Sequence, residues 1–145
     1  MTELWERDAW DLADSIRRGE ISSSAVVEES LARIAAHNGA LNAVCHLDAD
    51  GARARAAEID AAVARGEDPG AFAGVPIGVK ERAQAKGFPD THASVVYRDD
   101  VAPADGPEGE GLRAAGAVMA GRATARGGRV ARWPRTPGRG ATRTP

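Results

Sequence analysis

Apolar residues recur at helical spacing in three stretches near the start of the chain. Ala9, Leu12, Ala13 and Ile16 share one face of residues 9–18, the three-to-four spacing of an amphipathic helix. Asp8 is placed to cap it and Gly19 to end it, while Arg17 and Arg18 suit the negative end of the helix dipole. A second helix is predicted from Ser22. Ile21 at N′, Ser22 as N-cap and Val26 at N4 have the order of a hydrophobic staple. Val27, Leu31 and Ile34 continue the apolar stripe, Glu28, Glu29 and Arg33 mostly face water, and Gly39 is predicted to stop the helix. Residues 41–47 give a weaker strand signal. The third helix covers 49–65, with Asp48 as cap, Ala52, Ala56, Ile59 and Val63 as its apolar face, and Gly66 at its end. The turn formers Gly66-Glu67-Asp68-Pro69-Gly70 follow.

Beyond them the pattern shortens. Gly74-Val75-Pro76-Ile77-Gly78-Val79-Lys80 is a β-type run interrupted by Pro76 and Gly78, and a long polar connection follows. A last helix is predicted to end at residues 112–116, although Gly109 and Gly111 each cost about 1 kcal/mol in a helix interior. A strand over 117–120 comes next. From Arg122 the periodicity stops. Residues 126–145 are Arg, Gly, Pro and Thr with almost nothing to bury, a composition that predicts disorder.

Composition narrows the class. The 145 residues are 43% hydrophobic and 28% charged, which fits one soluble globular domain. Aromatics are only 4%, so the core must rest on Ala, Val, Leu and Ile. No apolar run approaches the roughly 18 residues of a membrane span. The start, Met1-Thr2-Glu3-Leu4-Trp5-Glu6-Arg7, lacks the basic and apolar blocks of a signal peptide. A single cysteine, Cys45, excludes an internal disulfide and agrees with a reducing compartment. The expectation is a cytoplasmic protein with no membrane association. The net charge of −2 hides an asymmetry: seven Arg and no acid lie in 121–145. An Arg-Gly stretch with Trp133 has the chemistry to meet phosphates and stack on a base. Without a repeated RGG unit or a folded nucleic-acid motif, the sequence argues against a nucleic-acid partner.

Individual reactive residues carry little alone. Ser22, Ser23 and Ser24 precede a helix and read as caps, and Ser94 reads as a loop residue with no partner base. Cys45 and His46 are adjacent on a predicted strand and so face opposite sides. That disfavours a Cys–His dyad and leaves Cys45 as a small core residue. His37 and His92 are isolated, and no spacing suggests a metal site. Lys80, taken alone, is a solvated charge at a strand end.

The order of the pieces says more. Two amphipathic helices, Ala40-Leu41-Asn42-Ala43-Val44, a third helix and Ala73-Gly74-Val75-Pro76-Ile77-Gly78-Val79-Lys80 resemble the opening of amidase-signature enzymes. Lys86-Gly87, Thr91, Ser94, Asp105 and Leu112-Arg113-Ala114-Ala115-Gly116-Ala117 follow in that family's order. The resemblance covers residues 3–124. It implies an α/β fold, helices packed on a mixed sheet, of which this chain supplies the first part. Residues 1–124 are then a partial amidase-signature domain and 125–145 a disordered tail.

By the same resemblance Lys80 is the lysine of a Ser–cis-Ser–Lys triad. Such a lysine must be neutral to accept a proton, so its surroundings must bring its pKa well below about 10.4. It takes that proton through the bridging serine. The nucleophilic serine attacks a carboxamide carbon, and water hydrolyses the acyl-enzyme. No metal or organic cofactor is implied. Family substrates run from small amides and lipid amides to a glutamine supplying ammonia for tRNA amidation.

This sequence departs from the family pattern. No Gly-Gly-Ser-Ser-Gly-Gly-Ser-type segment, which carries both serines, occurs in it. Glu81 stands where Asp is usual, Arg82 where an apolar residue is usual, and Arg122 where Lys is usual. The expectation is a chain inactive alone, with a small amide as substrate of the intact parent; the alternative is a noncatalytic interaction module or subunit half, with a separately encoded C-terminal half as a candidate partner. A frame shift near residue 124 would account for the tail. Strands that pair with later segments in the family would expose edges here, predicting a marginally stable, aggregation-prone product.

Overall fold

The structure, a computed structural model, describes residues 3–92, 94–124, 135–136 and 140–142. Its helices are α1 (Ala9–Arg17), α2 (Ser23–Leu41), α3 (Ala49–Ala64) and α4 (Pro107–Ala114). Its strands are β1 (Val44–Leu47), β2 (Pro76–Lys80), β3 (Val118–Ala123) and the two-residue pair β4 (Arg135–Thr136) and β5 (Gly140–Ala141). Short 3-10 turns occupy Leu4–Glu6 and Val95–Tyr97. One sheet has the order β1-β3-β2, and β4 pairs with β5. Helices on a small sheet are the α/β architecture expected, in its partial form. Among the described residues no helix is long and apolar enough to cross a membrane.

The described residues form two compact units. The first comprises 3–33, 48–77 and 111–120, the second 34–47, 78–110 and the described residues from 121 onward.

The first unit follows the sequence closely. The Asp8 carboxylate accepts from the Asp11 N–H at 2.8 Å and starts α1. Leu12, Ala13 and Ile16 bury against Val26, Ile59, Ala73 and Val75, with Ile21 packed alongside as the staple requires. A second cluster joins Val27, Leu31, Ala52, Ala56, Val118 and Ala120. The Ser22 hydroxyl accepts from the Ala25 N–H at 3.0 Å, as a cap should. Ser23 and Ser24 are not caps. The Ser23 hydroxyl donates to the Gly74 carbonyl at 2.7 Å, and Asp60 receives the Ser23 and Ser24 N–H groups and the Ser24 hydroxyl. A carboxylate from α3 therefore satisfies two of the open N-terminal donors of α2.

Gly116 shows why a glycine stands in the Ala-Gly-Ala motif. Its φ is +79°, and a Cβ there would lie 1.8 Å from the Pro69 carbonyl oxygen. The flanking carbonyls of Ala115 and Gly116 receive the Phe72 and Gly74 N–H groups at 2.7 and 2.8 Å. The loop before β2 is thereby joined to the segment entering β3.

The second unit departs from expectation at several points. α2 does not stop at Gly39 but continues to Leu41. Its stop is Asn42, at φ +53°, a left-handed residue of the kind that ends helices. Asn38 accounts for the shift: its side-chain carbonyl accepts from the Ala43 and Val44 N–H groups, and its amide donates to the Val44 carbonyl. β3 also outruns its predicted end, reaching Ala123. There it pairs antiparallel with β1, His46 opposite Arg122 and Val44 opposite Ala123. Cys45 is half-buried rather than a core residue, and its thiol donates to the Arg122 carbonyl at 3.2 Å. The adjacent His46 instead sets its ring edge-on to Phe88.

Gly109 is no defect in α4. It is buried, and a Cβ on it would meet the Gln84 carbonyl at 2.8 Å and an Asp105 oxygen at 2.9 Å. Most of the predicted tail, 125–145, lies outside the described residues. Within it Arg135 pairs with Ala141 and Thr136 with Gly140, and the Thr142 hydroxyl donates to the Asn42 carbonyl at 2.9 Å. Extended pairing thus occurs where the sequence shows no strand period, because backbone hydrogen bonds do not require an apolar side-chain pattern.

Candidate active-site segment

β2 delivers Lys80 at its last position, with Val79 buried and Lys80 exposed. A tight turn follows at once. The Ala83 N–H donates to the Lys80 carbonyl at 2.9 Å, and the Glu81 N–H donates to the Ala123 carbonyl at 2.9 Å. The chain therefore leaves Lys80 under backbone control on both sides of the turn.

Beneath this turn, within the second unit, lies a cluster of buried polar side chains: Glu81, Asp90, Thr91 and Arg122. Glu81 and Arg122 are each 1% exposed, a rare state for charged residues. They persist because they are tied down. The Thr91 hydroxyl donates to the Glu81 carboxylate. The Arg122 guanidinium donates from Nη1 to the Ala83 carbonyl and from Nη2 to the Glu81 carbonyl. Gln84 donates to Asp90 at 3.3 Å, and the His92 ring lies 3.7 Å from the same carboxylate. Burial pushes the Arg122 guanidinium below its ordinary value, while Asp90, Cys45 and Glu81 oppose that shift by charge.

The Lys86-Gly87 pair and Asp105, far apart in sequence, come together. The Asp105 carboxylate accepts from the Lys86 N–H at 2.8 Å, the Gly87 N–H reaches the Ala102 carbonyl at 3.0 Å, and the Gly106 N–H reaches the Gln84 carbonyl at 3.0 Å. Asp105 thus pins the loop beyond the Lys80 turn. Ser94 is a cap, accepting weakly from the Val96 N–H at 3.3 Å. His37 is exposed on α2. Among the described residues no group of three or more His, Cys, Asp and Glu is placed to hold a metal ion.

In the sequence Glu81 and Arg122 stand out only as departures from the family pattern, and nothing local there says that they meet. A signal for Arg122 existed: it closely follows Val118-Met119-Ala120, a run of apolar residues of the kind a fully buried central strand carries. The next side chains of such a strand are buried as well.

The geometry is that of a lysine presented at a strand end beside a buried polar cluster, in which Asp90 Oδ1 and Arg122 Nε have no hydrogen-bond partner among the described residues. Comparison with known proteins places it in a family. The amidase family model matches residues 25–145. A glutamyl-tRNA(Gln) amidotransferase subunit of Salinispora tropica is 39% identical over 122 residues, covering 84% of this chain and 25% of that protein. The corresponding subunit of Anaeromyxobacter sp. (strain K) is 46% identical over 102 residues, 70% of this chain and 21% of that protein. Among solved structures, a 6-aminohexanoate cyclic dimer hydrolase complexed with its substrate superposes with a TM-score of 0.82 at 28% identity, over 98% of this chain and 28% of that one. Fatty acid amide hydrolase reaches a TM-score of 0.91 over 98% of this chain and 25% of that one. At 24% identity, that likeness concerns the fold alone.

The chain belongs to the amidase family, and what it holds is the N-terminal part of an amidase-signature enzyme. It spans about a quarter of the length of the curated relatives it matches.

Proposed function

We propose that this chain carries the lysine of a carboxamide C–N hydrolase, with Lys80 as the base of a Ser–cis-Ser–Lys triad, and that these 145 residues alone hydrolyse no amide. The observation that carries the reading is the placement of Lys80: last residue of β2, followed by a turn held at both ends by backbone hydrogen bonds. The sequence around it, Gly74-Val75-Pro76-Ile77-Gly78-Val79-Lys80, matches the family's lysine-bearing segment. Lys80 is exposed, so a working site needs further chain to cover it and to bring the two serines. A base without a nucleophile transfers no acyl group.

In the complete site, neutral Lys80 accepts a proton through the bridging serine while the nucleophilic serine attacks the carboxamide carbon. The amine leaves, an acyl-enzyme forms, and water releases the acid. The substrate class is a small amide, as suggested by relatives named for amide hydrolysis and amidotransfer. The cytoplasm is the compartment that a chain with one cysteine fits best.

The test is a chimera in which residues 25–124 replace the corresponding segment of a relative that bears the serine motif. The chimera is expected to hydrolyse that relative's amide, and Lys80→Ala within it to reduce kcat by roughly a thousandfold or more, as loss of a triad member does. Undiminished turnover by the Lys80→Ala chimera would remove Lys80 from the mechanism.

A further inference from the structure

We propose that Arg122 is a positioning residue: its guanidinium forks across the Glu81 and Ala83 carbonyls, clamps the 80–83 turn and so fixes where Lys80 leaves β2. The inference deepens the reading of Lys80 as the base and rests on it.

Three features of the second unit support it. Both terminal nitrogens of Arg122 go to carbonyls two residues apart on one turn. The neighbouring residue on the same strand, Ala123, accepts the Glu81 N–H at 2.9 Å, so β3 grips that turn with both its backbone and a side chain. Arg122 itself is held: it lies opposite His46 in the β1–β3 register, and its carbonyl receives the Cys45 thiol. A side chain anchored on a paired strand and 1% exposed has little freedom to sample other partners.

The residue type matters. Lysine, usual at this position in the family, is a compact point charge on a flexible stem. Arginine presents a planar fork with fixed donor directions. Two carbonyls separated by one residue suit the fork, because each receives a donor at the same time. The clamp is therefore a property of this sequence and not of the family pattern.

Hydrogen exchange on the full chain reads the clamp directly. In Arg122→Met the Glu81 and Ala83 amides are expected to exchange roughly tenfold faster, consistent with losing hydrogen bonds from a charged donor. The amides of Val26, Val27 and Leu31 in the first unit keep their rates. Arg122→Lys, which retains charge but not the fork, falls between the two. The chain has lysines only at 80 and 86, so selective 13C labelling of lysine gives two side-chain signals. The Lys80 signal shifts in Arg122→Met and returns part of the way in Arg122→Lys, while Lys86 serves as the internal reference.

Wild-type exchange at 81 and 83 in both folded variants overturns the clamp. A loosened turn with an unmoved Lys80 signal overturns the positioning role. If Arg122→Met loses protection everywhere, Arg122→Lys decides: faster exchange confined to the turn supports the fork, and unchanged exchange sinks it. Exchange reads the turn and not catalysis, so a failure here leaves the Lys80→Ala chimera result standing, and the reverse holds as well.

Discussion

The two units solve the same problem with different materials. The first buries aliphatic faces of α1, α2 and α3, with Leu12, Ile16, Val26, Val27, Leu31 and Ile59 each at most 7% exposed. The second has long irregular stretches and buries Glu81, Asp90, Thr91 and Arg122. Apolar burial is non-directional and tolerates small displacements. A buried charge tolerates none, because losing a partner leaves the full desolvation cost. The first unit should therefore lose stability in proportion to volume removed. The second should respond sharply to loss of a single hydrogen bond, and it is the one that presents Lys80.

The largest expected effect lies in the first unit. Ile59, 2% exposed, joins α3 to Leu12, Val26 and Val75. Ile59→Ala should destabilise by about 2–5 kcal/mol, read as a lower urea midpoint. A core this rich in alanine has few large side chains able to close the resulting cavity. A cost below about 1 kcal/mol, well under that range, would mean that this cluster is not a packed core. Next comes Thr91→Val in the second unit, which keeps the side-chain shape and removes the hydroxyl donor to Glu81. It should cost about 1–3 kcal/mol by leaving a buried carboxylate short of a partner. A stability equal to that of the parent chain would show that water reaches Glu81 and that the contrast between the units is overdrawn.

A third test sits where the first unit itself relies on a charge. Asp60 accepts from the Ser23 and Ser24 N–H groups and the Ser24 hydroxyl, at 2.6–3.1 Å. Asp60→Ala should destabilise by about 1–2 kcal/mol, the upper range for loss of a helix N-cap, with helicity near the start of α2 reduced in amide chemical shifts. Ser22→Ala, removing one exposed cap bond, should cost less. The reverse order would make Ser22 the principal cap and Asp60 incidental.

The same contrast explains what could be read from sequence. α1, α2 and α3 were legible to within a few residues because a periodic apolar face and a capping side chain are local signals. The end of α2 was not. Gly39 is a natural stop by propensity, but Asn38 draws the following backbone back onto the helix, and these local side-chain hydrogen bonds offset a cost of about 1 kcal/mol. Gly109 looked like a weakness in α4 and is a point of close approach to Gln84 and Asp105. Lys80 is singled out only by the motif around it, which depends on family likeness and not on any physical property of one lysine. Glu81 and Arg122 were visible only as departures, since nothing local says that residues 41 positions apart will meet. Non-local polar contacts have no period, and sequence patterning is a reading of periods.

The smallest effect concerns the surface and carries a sign. Arg7 holds the Asp11 carboxyl below its ordinary value through a direct hydrogen bond, and Arg53 does the same for Glu28 and Arg65 for Glu67. A carboxyl whose folded value is depressed contributes stability above its unfolded value, and that contribution disappears as pH falls through the folded value. The three pairs should therefore favour the folded state at neutral pH and lose that contribution progressively as pH falls below about 4, the ordinary carboxyl range, through their depressed folded values. All three are exposed pairs on flexible side chains, so the contribution should be small and should shrink with added salt. Arg53→Gln isolates one of them: its urea midpoint should fall slightly at about pH 7 and approach that of the parent chain at about pH 3, below the ordinary carboxyl range. A deficit that persists unchanged in acid would mean that Arg53 acts through the packing of its methylene stem and not through Glu28. Equal midpoints at both pH values would reduce the pair to a contact with no energetic consequence, leaving the cores and the buried polar cluster to carry the fold.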